Sequence, residues 1–320
     1  MRLVFLGTPE FAVPTLERAV AAGHEVVCVV TQPDRPRGRG QHPAFSPVKD
    51  AALRLFLPVW QPERLREAKV VEHLRSFGAD AMVVVGYGQI IPQAVIDIPP
   101  HGIINVHASL LPKYRGAAPI QWAIVRGETV TGVTTMRIDA GLDTGDMLLR
   151  AETEIGAAEN AVELGRRLSL MGADLLVETL ARLDEIVPEK QDGTRATRAP
   201  MLKKEDGLID WSLSAYAADN RVRGLQPWPG AYTGFRGRKL HIWASRPQLR
   251  GTAHPAPGRF LALKPPVVCC GEGALELVEV QLEGRKRIGG ADFANGQHLT
   301  ENDCLAVTTQ EHDGAADKRR

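Results

Sequence analysis

The sequence predicts an α/β chain in two parts: an open, mostly parallel sheet with helices on both faces, then a small C-terminal β-barrel. Three observations carry this expectation. Over the first half, short and continuously apolar runs alternate with amphipathic segments, the pattern of strands buried on both faces between crossover helices. A polar stretch, "VPEKQDGTRATRAPMLKKEDG", then shows little apolar periodicity. Beyond it the apolar runs are short and broken by Gly and Pro. A chain of 320 residues, 44% hydrophobic and 24% charged, suits two ordinary folded domains.

Taken in order, "LVFLG" is the first strand and closes at Gly7. "AVPTLERAVAAGH" follows as a helix, with Val13, Leu16 and Val20 near helical spacing and Gly23 as its stop. "EVVCVV" is the second buried strand. After a long loop, "SPVKDAALRL" reads as a helix with Ser46 as N-cap and Pro47 in its first position. "REAKVVEHLRSFG" is a further helix and "DAMVVVGYG" a central strand, with "GIINVH", "TGVTTMRI" and "DMLLRAETEI" as further strands. From Asn160 to Leu183 a long helix is signalled by Leu164, Leu168, Met171 and Leu175, spaced four, three and four. "LIDWSL", "AYTGFRGRKLHIWAS", "PGRFLAL", "VVCCGEGALELVEVQL" and "CLAVT" supply the β segments of the second part. The expected division is a first domain over 1–189, a linker over 190–204, a β-barrel over 205–310 and a solvated tail over 311–320.

Several function classes are disfavoured. A net charge of +1 gives no global polyelectrolyte signal, so any nucleic-acid contact must come from local patches. No window reaches the ~18 apolar residues that a membrane span needs. "MRLVFLGTPEF" is too short for a signal h-region, so no membrane partner and a cytoplasmic location are expected. The cysteines, Cys28, Cys269, Cys270 and Cys304, form no CxxC pair, and neither a disulfide framework nor a metal site is expected. The first βα turn reads "GTPEFA", with no G-x-G-x-x-G and no P-loop anywhere, which disfavours dinucleotide oxidoreductases and P-loop NTPases.

Three features bear chemistry. The first is Asn105 with His107 at the end of "GIINVH". Two residues apart on an extended chain, they project from the same face. In an open α/β sheet a ligand sits outside the carboxyl ends of the strands, where His107 and Tyr87 both fall. A strand-end His that merely caps a neighbour is the other reading. The second is "DAGLDTGDML", Asp139 to Leu148, an Asp- and Gly-rich turn that alone reads as a hairpin. An Asn, a His and an Asp on adjacent strand ends together make a general acid/base and oxyanion set. The third is positive charge. "QPDRPRGRGQ" carries Arg35, Arg37 and Arg39 in an irregular loop. Between Lys203 and Arg259 ten basic residues face four acidic ones, with Trp228 and Trp243 among them. A solvated face explains such a run; so does a large anionic substrate.

"INVHASLLPKYRGAAPIQWAI" followed by "TGVTTMRIDAGLDTGDML" resembles the formyltransferases that use 10-formyltetrahydrofolate. "FLGTPEFAVPTL", "TQPDRPRGRG", "LIDWSLSA" and "QPWPGAY" resemble the branch of that family that acts on a charged tRNA. The likeness runs from Met1 to about Thr308, with Ala108 where Gly is as common and a tail that matches nothing. It implies a Rossmann-like first domain and an OB-like barrel. It puts a catalytic trio on Asn105, His107 and Asp143. It implies a folate site from Ser109, Leu110, Leu111 and Pro112, with Gly86, Tyr87, Gly88 and Ile90 enclosing the pterin. It also implies RNA contacts from Arg35, Arg37, Arg39, Lys203, Arg236, Arg238 and Lys239. The implied reaction is attack by the α-amine of methionyl-initiator tRNA on the formyl carbon of 10-formyltetrahydrofolate, through an oxyanion-stabilised tetrahedral intermediate, without a metal. A monomer is expected.

Two rival readings make different demands. A formyltransferase for a small amine needs neither the basic loop nor the basic second domain. A non-catalytic RNA-binding protein has no use for the trio.

Overall fold

Leu3, Val4, Phe5 and Leu6 are all at most 1% exposed, which fits a strand covered on both faces. That strand, β1 (Arg2–Gly7), lies inside a seven-stranded sheet in a computed structural model that describes residues 1–37, 42–248 and 256–306. The chain divides into two compact units. The first comprises Met1–Ile120, Thr129–Ala157 and Val162–Met201, and the second Gln121–Glu128, Ala158–Ala161 and Leu202–Arg320.

In the first unit β1 leads through α1 (Val13–Ala21) to β2 (Glu25–Val30). A two-stranded ribbon of β3 (Arg35–Arg37) and β4 (His42–Ala44) follows, then α2 (Pro47–Arg54) and β5 (Val59–Trp60). Ser46 caps α2, its hydroxyl accepting from Lys49 N, with Pro47 at the first helical position as expected. Next come α3 (Ala68–Ser76), β6 (Ala81–Val85), α4 (Gln93–Ile96) and β7 (Ile103–His107), then α5 (Pro119–Val125), most of which belongs to the second unit. The hairpin strands β8 (Val130–Arg137) and β9 (Met147–Glu154) and the long helix α6 (Ala161–Ala181) complete the unit.

The sheet order is β5-β2-β1-β6-β7-β8-β9, parallel from β5 to β7 and antiparallel at β7–β8 and β8–β9. Chain order reverses between β1 and β6, which makes a crevice at their carboxyl ends the natural ligand site. Behind the sheet, α6 packs so tightly that a Cβ on its Gly172 would lie 2.7 Å from Val106 Cγ1. Ile103, Asn105 and His107 alternate onto the other face of β7.

Residues 190–201, expected as part of a linker, are instead strapped onto the first unit. Glu189 and Met147 exchange backbone bonds of 2.8 Å, Ala199 N donates to Arg115 O at 2.7 Å, and Ala199 is fully buried. Their polar composition reflects hydrogen bonding to loops rather than freedom in solvent.

The second unit contains α7 (Ala215–Gly224), β10 (Ala231–Phe235), β11 (Arg238–Gln248), β12 (Phe260–Leu263), β13 (Pro266–Cys269), β14 (Ala274–Leu282), β15 (Ile288–Gly289), α8 (Gly290–Gly296) and β16 (Leu305–Ala306). Its antiparallel path is β12-β13-β14-β11-β10-β16, and a bridge between Arg259 and Cys304 ties the two ends into a curled half-barrel. Trp211, Phe235, Phe260, Leu277, Val280 and Phe293 fill it. No helix among the described residues is long and apolar enough to cross a membrane.

Candidate active site

The carboxyl edge of the sheet is knitted together by backbone carbonyls. Thr8 Oγ1, just beyond β1, donates to Tyr87 O at 3.0 Å, and Gln32 Nε2, beyond β2, donates to the same oxygen at 3.2 Å. Gly86 and Gly88 have φ of 57° and 88°, so the turn after β6 runs through the left-handed region that glycine enters freely. Val84 pairs with Asn105, which sets this turn beside the end of β7.

Asn105 and His107 are 8% and 6% exposed. The Asn105 carboxamide makes no hydrogen bond to the described residues, an open position for a polar group that is nearly buried. His107 Nε2 lies 2.9 Å from Tyr114 O. A carbonyl only accepts, so Nε2 carries a proton and the neutral ring has its lone pair on Nδ1. Nδ1 faces Asp143 Oδ2 at 3.8 Å, too far for a direct hydrogen bond but close enough to pair with an imidazolium.

Asp143 is itself fixed: Gly116 N donates to Oδ2 at 2.8 Å. Its φ of 52° and the 61° of Tyr114 are left-handed values that non-glycine residues hold only when their surroundings impose them. For Tyr114, one constraint is Thr197 Oγ1, which accepts from its N–H at 2.9 Å. In the adjoining turn Asp139 accepts from Thr144 Oγ1 and Gly141 N.

The loop that follows β7 is held from below. Thr134, opposite His107 in β8, donates to Ser109 O at 2.7 Å and accepts from Leu111 N at 3.1 Å. Ser109 Oγ donates to Lys113 O at 2.6 Å, and Leu111 packs on Met136 and Met147. The Leu111–Pro112 peptide is cis.

The expected residues therefore divide. Asn105 and His107 share one face of β7, and Asp143 lies opposite His107 Nδ1. Gly86, Gly88 and Ile90 are exposed on one rim, and Ile90, 89% exposed, lines a cleft of about 380 Å³ with Arg64, Leu65, Arg66 and Gln89. The Tyr87 side chain instead enters the core at 1% exposure, its hydroxyl without a partner among the described residues, and burial pushes its phenol up. Ser109 and Leu111 likewise spend their side chains on the loop itself, which leaves Leu110 and Pro112 partly exposed.

Among the expected RNA contacts, Arg236 makes a two-pronged pair with Asp303 at 2.7 Å and donates to Gln297 O. Arg238 donates to Glu283 O, and Lys239 Nζ sits 4.0 Å over the Tyr232 ring. Lys203 is exposed, with its N–H donated to Asp206 Oδ2 at 2.6 Å. Arg39 lies outside the described residues, as do the side chains of Arg35 and Arg37 in β3. The Tyr114 carbonyl, the Gly116 amide and the strap through Gln191 and Thr197 were not anticipated. Nothing in "KYRG" or "QDGTRATRA" marks hydrogen bonds made across 76 and 83 positions.

Residues 1–180 match the family model described as formyl transferase, and residues 201–298 match formyl transferase, C-terminal domain. The chain is 71% identical over 307 residues to a methionyl-tRNA formyltransferase of Solibacter usitatus, covering 95% of this chain and 98% of that one. It is 56% identical over 308 residues to a methionyl-tRNA formyltransferase of Koribacter versatilis, with the same coverage of 95% and 98%. A solved N-formyltransferase from Helicobacter canadensis, in complex with folinic acid and dTDP-3-aminofucose, superposes with a TM-score of 0.65 at 16% identity. It covers 89% of this chain and 99% of that one, a likeness of fold.

Proposed function

Because the chain belongs to the formyl transferase family, we propose that it moves a formyl group from 10-formyltetrahydrofolate to the α-amine of methionyl-initiator tRNA, using Asn105, His107 and Asp143. Formylation of methionyl-tRNA is the activity named for relatives that match 95% of the chain at 71% and 56% identity. The observation that carries the mechanism is the arrangement of donors on one face of β7. An unpartnered Asn105 amide sits two residues from a His107 whose only uncommitted nitrogen is Nδ1.

The residues present fit the folate donor. Exposed Gly86 and Gly88 bring bare backbone to the rim, and Ile90 offers an apolar surface beside it. Gly86, Gly88, Ile90, Leu110 and Pro112 would hold the donor by surface contact, while Tyr87, Ser109 and Leu111 shape the loops beneath. The donor supplies a formyl carbon on N10 and leaves as tetrahydrofolate.

Asn105 donates to the formyl oxygen as negative charge develops there. His107 in its imidazolium form donates to the same oxygen from Nδ1. In its neutral form Nδ1 accepts the proton that the attacking amine sheds, and a proton is returned to N10 as the bond between N10 and the formyl carbon breaks. Asp143, 3.8 Å away, balances the imidazolium and takes a proton through a bridging water. Burial of both partners, 7% and 18% exposed at the side chain, strengthens each of these interactions over its value in water.

The test is formyl transfer from 10-formyltetrahydrofolate to methionyl-initiator tRNA, with uncharged tRNA and an amino-sugar nucleotide as parallel acceptors. Transfer to the charged tRNA alone is expected. Transfer to the amino sugar in preference would keep the trio and overturn the acceptor.

A further inference from the structure

His107 has two partners, and one side chain reaches the supports of both. Gln191 Nε2 donates to Asp143 O at 2.9 Å and to Gly145 O at 2.7 Å. Its Oε1 accepts from Arg115 Nε at 3.0 Å and from Arg115 Nη2 at 2.7 Å. Arg115 stands between Tyr114, whose carbonyl takes the His107 Nε2 proton, and Gly116, whose amide caps Asp143. Gln191 is anchored two residues beyond Glu189, whose backbone is paired with Met147. A single amide thus spans the Asp143 turn and the 114–116 turn, which meet at His107 and both hold left-handed non-glycine residues.

We propose that Gln191 is a positioning residue for formyl transfer, setting the separation between His107 Nδ1 and the Asp143 carboxylate without touching either substrate. The proposal rests on the formyl-transfer reading above. The two donated bonds hold the carbonyls at and just beyond Asp143, so their loss lets the Asp143 turn relax toward ordinary backbone angles. The Arg115 bonds couple that turn to Tyr114. Displacing a catalytic group by about 1 Å costs on the order of 10²-fold in rate.

The experiment compares wild type, Gln191→Ala, Gln191→Glu, Asp143→Asn and the Gln191→Ala/Asp143→Asn double variant. It uses steady-state transfer to methionyl-tRNA and amide hydrogen exchange on the same proteins. Gln191→Ala should lower kcat about 10- to 100-fold, with KM for both substrates within about twofold. Gln191→Glu keeps the acceptor for Arg115 but donates to neither carbonyl, and should fall as far. In the Asp143→Asn background Gln191→Ala should change kcat by less than about twofold, because it acts through that carboxylate. Exchange should quicken over 141–146 and 113–117 and not elsewhere.

Wild-type kcat in Gln191→Ala, or an effect that multiplies with that of Asp143→Asn, would overturn the proposal. If wild type itself failed to formylate methionyl-tRNA, the functional reading would fall instead. The exchange pattern would then decide the positioning role alone, with protection unchanged in Gln191→Ala counting against it.

Discussion

The Tyr114 carbonyl decides which nitrogen of His107 is free, and this makes the ring's tautomer the first checkable detail. Nitrogen NMR of the histidine rings should show the neutral His107 protonated at Nε2; a ring protonated at Nδ1 would contradict the 2.9 Å contact with Tyr114 O. Asp143 carries two burdens, a carboxylate at Nδ1 and a left-handed backbone. Asp143→Asn keeps the shape and tolerates φ of 52°, so it should melt within a few degrees of wild type while kcat falls by about tenfold or more. Asp143→Val should add about 1–3 kcal/mol of destabilisation on top of that loss, measured by urea unfolding, because a β-branched residue resists that backbone region. Asn105 and His107 could be singled out from their spacing on an extended chain. The Tyr114 carbonyl could not, since a backbone oxygen leaves no trace in residue type.

At the scale of elements, the strands and long helices were legible because burial on both faces and a four-three-four spacing are written in side chains. α6 spans Ala161–Ala181 against an expected helix from Asn160 to Leu183, and Ser46 caps α2 as its Ser-Pro signature implies. The direction of β8 was less accessible, because an apolar strand reads the same whichever way it runs. The strap over 190–201 escaped for a related reason: polar residues that bond to loops look like polar residues in water. The hairpin behind the site is also tightly limited. A Cβ on Gly132 would lie 2.1 Å from Ala151 O and 2.6 Å from Leu110 Cδ2. Gly132→Ala should therefore cost about 2 kcal/mol or more in unfolding free energy, and an unchanged midpoint would show that β8 and β9 can separate without penalty.

For the whole molecule, charge has two separate uses. Arg236 and Asp303 stabilise the second unit: the Arg236 guanidinium, with help from Thr300, holds the Asp303 carboxyl down to about 2. A carboxyl depressed on folding contributes stability that is present above its unfolded value of about 4 and is lost as pH falls toward 2. Asp303→Asn should flatten the acid limb of the stability curve in that window and cost about 1 kcal/mol at neutral pH. We propose Lys239, Arg238 and Lys203 as the RNA-facing cations of the same unit. Lys239→Ala should weaken tRNA binding and reduce the slope of log Kd against log salt by about 1, whereas Arg236→Ala should act mainly on thermal stability. Equal salt slopes for wild type and Lys239→Ala would remove Lys239 from the interface.

The central claim is that Asn105 and His107 jointly stabilise the charge that develops on the formyl oxygen. Single-turnover formyl transfer, with both substrates saturating, tests it in Asn105→Ala and His107→Ala proteins shown by circular dichroism to be folded. Each should be slower than wild type by on the order of 10²–10³-fold. Transfer at near wild-type rate in either variant would contradict the account.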